Sequence, residues 1–408
     1  MPYQTLTNIR VIDASTGIAG PYAGKMLADY GADVIKLELP TAPDHSRNAG
    51  AFPDGITHPE KSALYLHLNA GKKGITLDPS SSDGRRIFTD LAAQCDIVLE
   101  SFRPGTMADW GIGYHDLRDV RSDIVMTSVT PYGQSGPHKD YEYTELTIFA
   151  SGGAMHREGL PDREPLRYGA EIAQYFSGTT AAAATMISLF GVAMHGEGEW
   201  IDISMQECFA GHPHQVGRRT PWIYGNEPDP RKPPRLAAAG MREPYAVGSF
   251  RCKDGYVSFL PLGSRMWPQL ARMINRADLI NDPRYASPDD RTERREELES
   301  IFQAWFDDHT RMEVFAAGQR EMLPCAPIME SHEALENPHF RERSYFIDLM
   351  HPDAGALTYT GLPFRLSDTS VEPNTPAPRL GQHNAEIYAD LLNITPSELA
   401  QLHAKGVV

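Results

Sequence analysis

In the N-terminal third of the chain, short apolar runs rich in β-branched residues alternate with longer amphipathic stretches. Asn8 to Asp13 (N-I-R-V-I-D) reads as a strand. The small-residue turn S-T-G-I-A-G-P-Y-A-G and an amphipathic helix through Asp29 follow, Gly31 stops the helix, and Asp33 to Glu38 reads as a second strand. This is a βαβ unit, with parallel strands and a right-handed crossover. The alternation continues with strands over Gly71 to Asp78, Asp96 to Glu100 and Asp123 to Val129. Helices are expected from about Asp83 to Gln94 and, with a turn inside, from Thr106 to Val120. Such a pattern predicts a parallel α/β sheet covered on both faces. Ligands of these sheets bind outside the carboxyl ends of the strands, where Ser15 to Pro21, Ser101 to Gly105 and Thr130 to Pro137 fall. Gly17, Gly20 and Gly24 do not match G-x-G-x-x-G, so no dinucleotide fingerprint is assigned. Small residues there serve either a tight turn or close approach of the backbone to a ligand.

A different pattern begins at Arg167. From about Glu171 to Gly191 the chain lacks proline, carries four alanines in succession (Ala181 to Ala184) and is apolar nearly all round. It predicts one long helix buried in a soluble core; its last part is too short and too interrupted by Ser and Thr to span a bilayer. Glu171 and Gln174 share one face of its first turn, where they either cap the helix or meet a ligand. A strand leading into a helix follows at G-E-W-I-D-I-S-M-Q-E. His212 to Gly240, dense in Pro, Gly and Arg, has no periodicity and reads as a linker or exposed arm; His212 and His214 are too loose a pair for a metal site. Arg251 to Leu260 is hairpin-like about Asp254-Gly255, and helices are expected over Arg265 to Arg276, Thr292 to His309 and Met312 to Glu321. The run R-T-E-R-R-E-E is a solvated helix face. Two short amphipathic helices end the chain, the second announced by Thr395-Pro396-Ser397-Glu398.

Composition narrows the function. The 408 residues can bury a large core, in two domains. A net charge of −16 argues against non-specific nucleic-acid binding. Cys95, Cys208, Cys252 and Cys325 are far apart and form no C-x-x-C pair, so neither a disulfide framework nor a metal site is expected. With no signal-like N-terminus and no membrane span expected, the reading is a cytoplasmic protein without a membrane partner. No G-x-S-x-G elbow, Walker loop or H-E-x-x-H occurs.

Several ordered motifs then carry a resemblance over essentially the whole chain: I-A-G-P-Y-A-G-K-M-L-A-D-Y-G-A-D-V-I-K-L-E, S-F-R-P-G-T-M, Y-G-Q-S-G-P, S-M-Q-E, C-K-D-G-Y-V-S-F, P-C-A-P-I and L-G-Q-H-N-A-E-I-Y. The sequence resembles the family III CoA-transferases, the formyl-CoA and carnitine CoA-transferase group. The resemblance implies an α/β fold: a parallel Rossmann-like large domain from 1–215 and 335–408, a linker at 216–240, a smaller α+β domain at 241–334, and an interlocked dimer. It implies acyl-CoA and a carboxylate as substrates and no permanently bound cofactor. In the family an aspartate attacks the acyl-CoA thioester to give a mixed anhydride, CoA thiolate then forms an aspartyl-CoA thioester, and the acceptor acid takes CoA by the reverse steps.

The family aspartate falls at Gln174, whose neutral amide cannot form the anhydride. By motif, the CoA-contacting positions are Ile18 and Ala19 in the main-chain loop, Leu77, and Ser101-Phe102, with Ser101 where asparagine is usual. Four positions that are basic in formyl-CoA transferase are Leu39, Ser80, Asp109 and Glu142 here, although CoA phosphates favour Arg and Lys. Arg103, Lys72 and Lys73 either compensate or are ordinary surface charges. Three readings follow: an active transferase using Glu171 or Glu145 as nucleophile; a catalytically silent subunit paired with an active paralogue, as in benzylsuccinate CoA-transferase; or a protein that binds or converts CoA esters on the same fold. A racemase would need a His-Asp pair where Tyr143 and Gln174 stand.

Overall fold

The computed structural model describes residues 4–211, 222–226, 248–260, 266–369 and 375–408. The expected linker therefore lies outside the described residues apart from 222–226, as do His212 and His214. The chain divides into two compact units, one of residues 1–155, 167–217 and 341–408, the other of 156–166 and 218–340.

In the first unit six strands are all parallel: β1 (Arg10–Ala14), β2 (Asp33–Glu38), β3 (Lys73–Thr76), β4 (Ile97–Glu100), β5 (Val125–Thr130) and β6 (Trp200–Ser204). Their order is β3-β2-β1-β4-β5-β6. The connections run outward from β1 in one direction through β3 and in the other from β4, so the order reverses between β1 and β4. At that reversal the loops beyond the two strands diverge and leave a crevice. The helices of this part are α1 (Ala19–Asp29), α2 (Ala63–Asn69), α3 (Ser82–Ala92), α4 (Thr106–Asp109), α5 (Tyr114–Val120), α6 (Glu145–Ser151), α7 (Ile172–His195) and α8 (Met205–Ala210). They cover both faces. Ile12, Ile35, Ile75 and Val98 face α3 and the C-terminal helices, while Val11, Val34, Ile97 and Val125 face α1 and α7. The C-terminal segment closes the first face: Tyr388 donates its hydroxyl to Thr76 O at 2.6 Å, and Asp78 N–H donates to Val407 O at 2.7 Å.

The long helix differs from expectation in one respect. At 24 residues α7 is long and apolar enough by length and composition to cross a membrane, yet only 33% of its most apolar window is buried. Its small residues, Ala173, Ser177, Gly178, Ala181, Ala182, Thr185 and Ser188, are the buried ones. They let α7 approach the sheet and α1: a Cβ on Gly178 would lie 2.5 Å from Ala19 O, and Thr185 and Thr127 share a 2.7 Å hydrogen bond. Ile187, Phe190 and Met194 are 74%, 69% and 62% exposed. Within this chain α7 is buried on one face, not all round. Gly196, at φ +77°, ends it in the left-handed conformation that glycine adopts without strain.

The second unit contains a three-stranded antiparallel sheet, β7 (Gly248–Cys252), β8 (Gly255–Phe259) and β9 (Cys325–Pro327), in that order. Helices Trp267–Met273, Arg295–Asp307 and Arg311–Arg320 pack on it through Phe250, Phe259, Phe302 and Phe306. A further hairpin, β10 (Phe346–His351) and β11 (Gly355–Thr360), belongs to the first unit.

Candidate active site

The crevice at the reversal is spanned by a hydrogen bond from Thr16 N–H, beyond β1, to Ser101 Oγ, beyond β4, at 2.8 Å. Thr16, Ser101, Phe102, Arg103, Val129 and Tyr143 are among the residues lining the cleft there. Ile18 and Ala19, at the start of α1, are buried, at 6% and 1% exposure. Phe102 rests edge-on against Trp110 with ring centroids 5.0 Å apart. Leu77 is fully enclosed in the core beneath the sheet.

The start of α7 comes to the same region by helix packing. Tyr175 meets Tyr22 of α1 edge-on at 4.9 Å. Gln174 lies one turn before Gly178, the residue pressed on Ala19 O, and so on that helix face. Just ahead of the helix Ala170 holds φ +57°, a left-handed conformation costly for a residue with a Cβ, and Arg167 donates to Ala170 O at 2.7 Å. Glu171 is the residue before the first turn and makes no side-chain cap.

The group that meets this helix start is Glu145, the first residue of α6, placed there by a Thr144 capping box. Its Oε1 accepts the Ala173 N–H at 2.8 Å, and the backbone and side-chain N–H groups of Gln174 lie close enough to favour the ionised carboxylate. Glu145 is 8% exposed, and its Oε2 is buried without a hydrogen-bond partner. Burial raises its pKa, opposed by the N–H donors of Ala173 and Gln174. The result is a carboxylate held by one oxygen at the positive end of a 24-residue helix, with the other oxygen unengaged.

The basic groups are placed less favourably for phosphates. Arg103 is exposed and paired with Glu142. Lys73 bridges Glu386 at 3.0 Å. Lys72 is not a surface charge: its side chain is fully buried and pairs with Asp13 at 2.7 Å, so it is unavailable to a ligand phosphate. Ser80 and Asp109 are exposed, and Leu39 is partly buried.

A second buried acid, Glu100, carries almost no signal in the sequence. Glu100 ends β4, is 3% exposed, and accepts the Phe102 N–H at 2.7 Å. Burial, with Asp202 nearby, pushes its pKa up to about 7 against hydrogen bonds from Ser128 and Phe102. It lines a cavity of about 160 Å³ together with Tyr114, Ser128 and Trp200. Its one sequence signal is an acid at the end of the apolar run D-I-V-L-E.

Known proteins bear on this arrangement. The chain is 30% identical to a succinyl-CoA–D-citramalate CoA-transferase of Chloroflexus aurantiacus, over 100% of this chain and 99% of that one. It is 29% identical to subunit BbsE of the succinyl-CoA:(R)-benzylsuccinate CoA-transferase of Thauera aromatica, over 95% and 94%. The crystal structure of a CAIB/BAIF family protein from Brucella suis superposes with a TM-score of 0.84 at 26% identity, covering 95% of this chain and 99% of that one. The model of CoA-transferase family III matches residues 6–384. Sheet order, motif order and full-length similarity thus agree, and the chain belongs to CoA-transferase family III.

Proposed function

We propose that the protein exchanges CoA between an acyl-CoA and a carboxylic acid in cytoplasmic organic-acid breakdown, with CoA present only as substrate, and that Glu145 supplies the nucleophile. The observation that carries this reading is the Glu145 carboxylate, fixed through Oε1 at the start of α7 with Oε2 free of hydrogen bonds. A lone pair of Oε2 attacks the thioester carbonyl carbon, the C–S bond breaks, and an acyl-glutamyl anhydride forms with release of CoA thiolate. The thiolate attacks the glutamyl carbonyl, which releases the donor acid as its carboxylate and leaves a glutamyl-CoA thioester. The acceptor carboxylate reverses both steps, so no net proton is consumed. Main-chain N–H groups at the helix start and the Gln174 amide are donors suited to charge developing on the glutamyl group. In this reading Ile18, Ala19, Ser101 and Phe102 flank the CoA thioester, Leu77 lies in the core against which Phe102 packs, and Arg103 exchanges Glu142 for a phosphate.

A second reading is favoured by one residue. Gln174 is neutral where the family aspartate falls, and two relatives are named as subunits: BbsE, and the beta subunit of a succinyl-CoA–L-malate CoA-transferase of C. aurantiacus, 27% identical. In that reading the chain is the silent partner of an Asp-bearing paralogue. Either way we place it in an interlocked dimer, homomeric or heteromeric, which would cover the apolar stripe of Ile187, Phe190 and Met194. The test is CoA exchange by the purified chain alone, followed by chromatography of the CoA esters across a panel of donors and acids. Exchange that survives Glu145→Gln sinks the nucleophile assignment. Exchange that arises only on adding an Asp-bearing paralogue selects the second reading.

A further inference from the structure

The stretch Ser15–Pro21, the turn that carries Thr16 into the cleft together with the first residues of α1, is tied at both ends to buried charges. At its start Lys36 of β2 donates to Ser15 O and pairs with Asp44 at 3.0 Å, both side chains fully buried. Asp44 in turn accepts Gly17 N–H at 3.0 Å and Ser46 N–H at 2.9 Å. At its end the Lys72 ammonium has three acceptors: Pro21 O at 2.7 Å, Asp13 Oδ2 at 2.7 Å and Asn69 Oδ1 at 2.9 Å. An ammonium has three N–H donors, so Lys72 is saturated. The other oxygen of Asp13 returns to the loop, accepting Ser15 N–H at 3.1 Å and the Ser15 hydroxyl. Two lysines and two aspartates balance, and α1 packs closely on them: a Cβ on Gly24 would lie 2.7 Å from Asp13 Oδ2 and 3.2 Å from Lys72 Nζ.

We propose that Lys36 and Lys72 are positioning residues for the CoA thioester: they hold the main chain of Ser15–Pro21 in its ligand-ready course and do not contact the ligand. This rests on the reading above, in which that loop faces CoA. Fully buried ion pairs add little to stability beyond what apolar replacements supply, so stability alone gives no reason for two of them here. What distinguishes this network is that four of its hydrogen bonds, those of Lys36 with Ser15 O, of Lys72 with Pro21 O, of Gly17 N–H with Asp44 and of Ser15 N–H with Asp13, involve the backbone of one seven-residue stretch, the turn after β1 and the start of α1. A loop already ordered in the free protein spares the ligand the cost of ordering it.

The experiment uses the full chain without ligand and then with coenzyme A. Amide hydrogen exchange of segment 15–21 is measured by mass spectrometry, and CoA affinity by calorimetry, for wild type, Lys72→Gln, the charge-neutral pair Asp13→Asn/Lys72→Gln, and the surface control Lys73→Gln. Expected for Lys72→Gln or the pair is exchange in 15–21 faster by about tenfold or more, other segments unchanged, and CoA binding weakened by a similar factor. In exchange assays KM should rise while kcat stays within about twofold. Unchanged loop exchange in a folded variant overturns the proposal, as does a looser loop with unaltered CoA affinity. Failure of both Lys72 variants to fold overturns it in favour of a purely structural network. If wild type binds no CoA, the CoA reading fails and with it the ligand half of the proposal, while the exchange measurement still decides whether the lysines hold the loop.

Discussion

Glu145 Oε1 accepts the Ala173 N–H at 2.8 Å, so an acid from one helix sits on the first turn of another, 28 residues along the chain. Glu171, closer in sequence to Gln174, makes no side-chain cap at that turn. The two acids are therefore separable by mutation. Glu145→Gln keeps the hydrogen-bonding shape and removes the nucleophile; exchange should fall by about a thousandfold or more, whereas Glu171→Gln should keep most of it. Steady-state rates of CoA-ester exchange for the two variants decide this, and a Glu171→Gln loss as large as that of Glu145→Gln would reverse the assignment.

Gln174→Asp sets a second carboxylate beside Glu145. Like charges at that range oppose joint ionisation, so one of the pair should hold a proton near neutrality. The variant should fold but lose roughly 1–2 kcal/mol between pH 5 and pH 8 relative to wild type, because the unfolded chain ionises both acids freely. In the silent-subunit reading it should gain little transfer activity, since Asp109 and Glu142 stand at positions the resemblance makes basic. Urea unfolding at the two pH values, with an exchange assay, is the check. Equal stability loss in wild type and variant would mean that the two side chains do not meet.

Burial raises the pKa of Glu100 to about 7 from an ordinary 4.5. Between those values the folded protein binds more protons than the unfolded chain, so stability falls as pH rises through this window and is highest below it. Glu100→Gln removes the group. Its melting temperature should match wild type near pH 4.5 and exceed it at pH 8, and a calorimetric pH series on both proteins would show the curves diverging upward through pH 7. Parallel curves would contradict a neutral Glu100 in the folded state at acidic pH.

Phe190 is 69% exposed midway along the apolar stripe of α7. If a partner subunit covers this stripe, Phe190→Asp should cost about 2 kcal/mol or more of association. It should leave the fold intact, since the side chain is not in this chain's core. Light scattering at micromolar concentration should then report a dimer for wild type and a smaller species for the variant. A wild-type monomer would remove the interlocked-dimer reading.

Local pattern determined much of this protein. The strands at Arg10–Ala14, Asp33–Glu38 and Ile97–Glu100 were legible because β-branched residues cluster in short runs bounded by turn residues. The long helix at Ile172–His195 was legible from its alanines and lack of proline. The motif series was sufficient for the family. Strand β9, three residues that follow Pro324 and end on Pro327, has no local signal and exists because Val257 and Phe259 offer it an open edge. Tertiary structure decided the charges. Lys72 lies in G-K-K-G at the start of an expected strand, where it reads as a ligand contact or an ordinary surface charge, and it is buried because Asp13, 59 residues away, meets it. The exposed face of α7 was likewise invisible, since an apolar residue has the same pattern whether it faces its own core or a partner. Glu145 reaches the start of α7 only through the packing of two helices. Periodicity records which residues avoid water along one element; which acid meets which N–H depends on how elements distant in sequence are brought together, and that is settled only when the core closes.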